Sequence, residues 1–305
     1  MSKSFLQTMG WLDFQKEIGH KVWRFDDGKI RANVIKYPLP FGKSYLYIPH
    51  GPEIQFEDIQ GGIKNELANF IKYLKDLAKE EKAIFIKMEP LSDVVMELLY
   101  RKGVRRSSKQ IQPYKSVVLN LDLSEEHLLG KMHQKTRYNI KVAEKYGITI
   151  KPSNDVDEFW KLMKKTTKRD RFSSHSKEYY KKLLEFLHNK GEIKTDLLVA
   201  YHGDKAVAGA IVLQYGDTGY YLHGASDYEY RAMMAPHALH WYIIKYLKNN
   251  GIKCYDFWGI DSCKWPGVTR FKLGWGGDLK EYPGSFDIPV SRLWYFVYSL
   301  ARKIF

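Results

Sequence analysis

Cysteine is scarce: Cys254 and Cys263 are the only two in 305 residues. Neither sits at a zinc-like spacing from histidine, which argues against a metal site, and such low usage fits a reducing compartment. No run reaches the ~18 apolar residues of a membrane span. The first 21 residues lack the apolar stretch of a secretory leader, so a cytoplasmic chain is expected. Glycine-rich phosphate loops of the P-loop or dinucleotide type are missing as well. Acidic residues are the last shortage, 35 against 49 Lys+Arg, for a net charge of +14. That imbalance speaks of partners rather than fold: nucleic acid, anionic lipid or phosphorylated small molecules, against the plainer reading of a lysine-rich solvated surface.

What is present is an ordinary globular composition, 44% apolar and 28% charged, with 15% aromatics for core packing or stacking. Apolar periodicity predicts helices over 12–18, 61–81 and 92–102, the last stopped by Gly103, and strands over 30–37, 44–48 and 83–88. A strand over 114–121 precedes one long helix, capped by Ser124 and running to about Tyr146. A strand follows over 147–151, then helices over 156–168 and 177–189. A three-strand meander over 196–201, 205–215 and 219–225 comes next, then a helix over 232–249 and a strand over 253–258. An amphipathic helix near 290–304 closes the chain. Mixed elements in this order predict two α+β units in tandem, with no visible sequence repeat or flexible linker.

Several residues carry chemistry on this map. The helix after Ser124 holds Lys131, Lys135, Arg137 and Lys141 at helical spacing. Like charges so placed repel, so they either bind an anion such as a tRNA backbone or form a solvated face. Asp256 ends a strand among aromatics in Tyr255-Asp256-Phe257-Trp258-Gly259, as a site acid or a turn cap. His223 lies on a strand, where a lone histidine is usually structural. The strand-to-helix passage Tyr230–Pro236 has no glycine to cradle an acyl-CoA pyrophosphate, so no ordinary nucleotide cofactor is expected.

Five segments together resemble the FemA/FemB/FemX peptidoglycan bridge transferases. They are Tyr47–Pro52, Lys131–Ile140 with Ala143 and Gly147, Tyr221–Ser226, Tyr255–Gly259, and Arg270–Gly277 with Tyr282-Pro283-Gly284. The resemblance implies an α+β fold of two tandem GNAT-like domains without acetyl-CoA, residues 1–115 plus 283–305 and residues 116–282. Asn189-Lys190-Gly191 passes straight to the next strand, so the compact type without a coiled-coil arm is implied. The implied activity is transfer of an amino acid from aminoacyl-tRNA to a peptidoglycan precursor, lipid-linked or UDP-MurNAc-pentapeptide, by a monomer with no cofactor and no metal.

The resemblance also assigns residues. Lys272 would stabilise the oxyanion of the attacked ester, with Phe271 walling the site; the alternative is a surface lysine on a strand. Glu89 aligns with a carboxylate considered as base, a task that substrate phosphate also fits. Gln15, His175, Tyr179 and His223 align with precursor-binding positions, and Tyr221 and Asp256 fall in the matching strands. Gln15, His175 and His223 depart from the family's lysine, arginine and tyrosine, which leaves the acceptor open. The closing helix, with Arg292, Arg302 and Lys303 near its ends, either dips into the inner membrane face or packs on its domain.

Overall fold

In the computed structural model, the described residues are 4–55, 62–100, 104–107 and 109–304, with side chains described to residue 301. In chain order the helices are α1 (Met9–Glu17), α2 (Lys64–Glu80), α3 (Asp93–Tyr100), α4 (Glu125–Lys131), α5 (Gln134–Lys145), α6 (Val156–Asp170), α7 (Lys177–Leu187), α8 (Ala235–Asn249), α9 (Pro266–Leu273) and α10 (Arg292–Ile304). The strands are β1 (Val22–Asp26), β2 (Ile30–Leu39), β3 (Lys43–Ile48), β4 (Glu53–Ile54), β5 (Ala83–Met88), β6 (Arg105–Arg106), β7 (Lys115–Asn120) and β8 (Thr149–Ser153). They continue with β9 (Asn189–Lys190), β10 (Ile193–His202), β11 (Lys205–Tyr215), β12 (Thr218–Ser226), β13 (Cys254–Asp256), β14 (Asp278–Glu281) and β15 (Phe286–Pro289). The expected positions Gly61, Lys102 and Gly103, and the side chains of Arg302 and Lys303, lie outside this description.

The chain forms two compact units, residues 1–114 with 282–305 and residues 115–281. The first holds the sheet β1-β2-β3-β5-β15-β6, and the second holds β14-β7-β13-β12-β11-β10-β8. Both are built the same way. Three antiparallel strands (β1 to β3, β10 to β12) lead through a crossover helix (α2, α8) into a strand parallel to the third. A further antiparallel strand then closes on it, β15 on β5 and β7 on β13. The fold is α+β, and among the described residues no coiled-coil arm interrupts it.

The crossover helices form because their apolar residues recur at helical spacing. Leu67, Phe70, Ile71, Leu74 and Leu77 of α2 are buried in the first core; Leu239, Ile243, Ile244 and Leu247 of α8 are buried in the second. Burial of such side chains contributes roughly 1.5–3 kcal/mol each before entropy is counted.

Three points depart from the reading of the sequence. The single helix from Ser124 to Tyr146 is two, α4 and α5, because Met132 and His133 are extended at ψ 148° and 142°. His133 N–H donates to Gly274 O at 2.9 Å instead of continuing the helix, and its ring caps Lys135 N–H at 3.1 Å. Lys272 lies on helix α9, not a strand, and is buried. Strand β1 has no counterpart in the reading of the sequence; its residues are only half-buried, so their apolar signal is weak.

Candidate functional site

Four pieces of backbone in the second unit converge on Lys272. Helix α9 begins at Pro266, which suits a first turn because it needs no N–H donor, and it carries Phe271 and Lys272 near its end. The chain after it turns at Gly276, φ +76°, where a Cβ would stand 2.2 Å from Lys131 O. That loop fills the break between α4 and α5, which explains why the long helix is interrupted there.

The Lys272 ammonium donates to Trp258 O at 2.9 Å and to Gly259 O at 2.7 Å. Those carbonyls turn toward it because Trp258 (φ 52°) and Gly259 (φ 88°) are both left-handed. Its Nζ also lies 5.5 Å from the centre of the Tyr221 ring. Burial pushes its pKa down to about 8, against a smaller opposing pull from Asp256. Asp256 is buried too; it accepts from Ser116 Oγ and from Trp258 N–H at 2.8 Å, and burial raises its pKa.

Two histidines missed in the sequence complete the centre. His237 and His240 stand one turn apart on α8, with the Phe271 ring 5.0 Å from one and 5.2 Å from the other. His240 is buried, hydrogen-bonds Tyr255 OH through Nδ1 at 2.8 Å, and meets the Tyr221 ring edge-on at 4.5 Å. His237 Nε2 meets Asn139 Nδ2 at 3.1 Å, and burial pushes its pKa down to about 4. Both rings are neutral near pH 7, His240 because burial, then Lys272, holds it well below the usual range. The His-x-x-His spacing on an apolar helix was the available signal.

His175, Tyr179 and His223 are brought together at a second place in this unit. The rings of His175 and Tyr179 stack at 3.8 Å, and His223 meets them at 5.6 and 6.0 Å. A register shift in β12 opposite Ile211/Val212 lets Tyr221 turn to α8 while His223 turns to α7. Burial, then the nearby His175, pushes the His223 pKa down to about 3. Lys131, Lys135 and Lys141 are exposed on α4 and α5. Arg137 instead spends Nη1 on Leu129 O at 3.1 Å and on Met132 O, tying down the end of α4.

Gln15 and Glu89 belong to the first unit. Gln15 is buried on α1, with its Oε1 unpartnered. Glu89 follows β5 as Asp256 ends β13, so the two carboxylates occupy corresponding places in the two units. Glu89 accepts from Tyr47 OH at 2.5 Å, Ile111 N–H at 2.7 Å and Gln112 N–H at 3.0 Å. It lines a small, shallow cleft with His50, Gln110, Gln112 and Tyr282. Among the described residues no group of three His, Cys, Asp or Glu could hold a metal ion.

The arrangement of a buried lysine on two carbonyls, beside a phenylalanine at the end of a short helix, can be set against known proteins. The sequence model of the FemAB family matches residues 1–102, 99–201 and 188–303. The chain belongs to the FemAB family. Its curated relatives include the lipid II:glycine glycyltransferase of Staphylococcus haemolyticus, 24% identical over 92% of this chain and 87% of that protein. The Staphylococcus aureus MRSA252 enzyme of the same name is 24% identical over the same shares. Among solved structures, FemX superposes with a TM-score of 0.81 at 22% identity, covering 97% of this chain and 94% of its own. A tandem GNAT protein from the clavulanic acid biosynthesis pathway superposes at 0.56 with 10% identity, covering 92% and 94%. As a FemAB fold, the two repeated sheets are thus tandem GNAT-like domains.

Proposed function

We propose that this FemAB protein is an aminoacyltransferase that moves an amino acid from aminoacyl-tRNA onto the stem peptide of a peptidoglycan precursor, forming an interpeptide bridge. The observation that carries the proposal is the Lys272 ammonium, buried and aimed by the Trp258 and Gly259 carbonyls. The acceptor amine attacks the ester carbon, the C–N bond forms, and the carbonyl oxygen becomes negative. A fixed cation in a dry site stabilises that charge without reorganising. The C–O bond to the ribose then breaks, the ribose oxygen takes up a proton, and the amine loses one. Phe271, held between His237 and His240, keeps water from an ester that would otherwise hydrolyse.

Glu89 fits the proton acceptor poorly, because three donors already occupy its oxygens. We assign it to holding the 109–113 segment, and leave the proton to the substrates, precursor phosphate among them. His175, Tyr179 and His223 form an aromatic seat for the precursor, and Gln15 with its unpartnered oxygen is a polar contact for it. Tyr221 and Asp256 flank the ammonium. Lys131, Lys135 and Lys141 face the tRNA backbone from α4 and α5, with Arg137 holding their break. Place and partners follow: the cytoplasm, aminoacyl-tRNA and the precursor.

The start of α8 argues against an acyl-CoA donor. Pro236 has no N–H, and those of Met234 and His237 are spent on Arg231 O and Met234 O. The deciding experiment is transfer of a radiolabelled amino acid from a charged tRNA pool to lipid-linked and nucleotide-linked precursors, with Lys272→Ala beside the wild type. Label on a precursor, lost in the variant, is expected. No transfer from any charged tRNA by well-folded protein would refute the proposal.

A further inference from the structure

Helix α10 of the first unit is inverted. Its inner face is polar-aromatic: Tyr295 and Tyr298 pack on the Phe85 ring at 5.4 and 4.8 Å, and Tyr295 OH donates to Asp287 Oδ2 at 2.8 Å. Its outer face is apolar. Leu293, Phe296, Val297 and Leu300, at helical spacing, are 71%, 65%, 44% and 50% exposed. A helix that only capped its sheet would turn these side chains inward and the tyrosines outward. An exposed apolar stripe of this size marks an interaction surface.

A second apolar element stands beside it. The turn between β2 and β3 is Pro40-Phe41-Gly42, with Phe41 86% exposed. Lys43, at the end of this turn, places its ammonium 4.6 Å from the centre of the Trp294 ring, which links the turn to α10. The two segments that carry the patch hold charge of one sign, and Asp287 beneath α10 is paired with Lys87 at 2.8 Å. No acidic residue occurs from Ile288 to Phe305, where the sequence holds Arg292, Arg302 and Lys303, nor from Lys29 to Pro52. At the base of these strands Glu81 is neutralised by Lys21 at 3.2 Å and Lys36 at 2.7 Å. An apolar stripe, a tryptophan with a lysine over its ring, and basic residues in segments free of acidic ones are what an interfacial helix presents to anionic headgroups. No described helix is long and apolar enough to cross a membrane.

We infer that α10 and the Phe41 turn form a docking surface for an anionic phospholipid bilayer, on which α10 lies in the headgroup plane with Leu293, Phe296, Val297 and Leu300 in the acyl boundary. This inference rests on the exposed stripe and its charge, independently of the transfer reaction. The test is flotation of the full-length protein with vesicles of phosphatidylcholine containing about one third phosphatidylglycerol, and with phosphatidylcholine alone. These vesicles contain no precursor and no tRNA. The wild type is expected to float with the anionic vesicles, less so at high salt. The double variant Leu293→Glu/Phe296→Glu should bind at least ~10-fold more weakly, about 1.4 kcal/mol, with unchanged circular dichroism because both side chains are already in water. Phe41→Ser weakens the same binding from a different element. Absence of the wild type from the anionic vesicles, or equal flotation of wild type and both variants, would overturn the inference. So would a wild-type dimer that the double variant splits while vesicles stay bare, since the stripe would then pair two copies. Transfer to a soluble stem-peptide acceptor, run in parallel, separates this outcome from failure of the transferase reading.

Discussion

Replacing Lys272 by methionine removes the ammonium and keeps the reach of the side chain. The loss is expected in kcat rather than KM, because the charge it answers exists only in the transition state. Removing one such stabiliser typically slows a reaction ~10²–10³-fold, or about 2.7–4 kcal/mol. The structure adds a pH signature. With its pKa lowered from 10.5 to about 8, Lys272 is about nine-tenths ammonium at pH 7 and about one-tenth at pH 9. Once the rising ionisation of the acceptor amine is divided out, transfer should fall about tenfold across that range. Stability moves the other way. The unfolded chain binds the extra proton between pH 8 and 10.5, so wild-type stability rises with pH through that window. Below it the buried cation costs the fold on the order of 3 kcal/mol, a dependence Lys272→Met removes. Single-turnover transfer from pre-charged tRNA, corrected for ester hydrolysis, and thermal melts from pH 7 to 10 are the assays. A rate that climbs through pH 8 to a plateau would show a neutral lysine acting as base, and a methionine variant within threefold of wild type would remove Lys272 from the chemistry.

Glu89→Gln should lower stability by ~1–3 kcal/mol, since an amide NH₂ would confront one of the donors now on the carboxylate; lost kcat at unchanged melting temperature would restore Glu89 as the base. Gly276→Ala forces a Cβ against Lys131 O in a left-handed backbone, so the loop must leave the α4–α5 break; denaturant unfolding should show a loss of more than ~1 kcal/mol. Asp287→Ala strands Lys87, whose ammonium lies 2.8 Å from Asp287 and also serves Ser107 and Ser285. Breaking that buried pair should cost ~3–5 kcal/mol in chemical denaturation, and a melt within experimental error of wild type would contradict it.

Local pattern and composition carried much of this protein. The apolar repeats of α2 and α8, the Ser124 cap, the β10 to β12 meander and the Lys-rich face after Lys131 are all local signals, because a residue and its neighbours within one turn or one pleat produce them. The Phe271-Lys272 pair was legible as a motif, through resemblance rather than periodicity. Its conformation was not. Helix α9 is short and bounded by Gly274, and its lysine reads as a surface residue until the left-handed Trp258 and Gly259 carbonyls, some fourteen residues away in sequence, are brought beneath it. The break at Met132–His133 was likewise unread: Gly130 is a weak local hint of it, and the bond from His133 N–H to Gly274 O decides it. His237 and His240 read as ordinary helix residues because only the fold sets Phe271 between them. The exposed stripe of α10 shows the same division. Its amphipathicity is written in the sequence, but an amphipathic helix has two faces, and only tertiary packing on Phe85 decided that the tyrosines turn inward and the leucines to solvent.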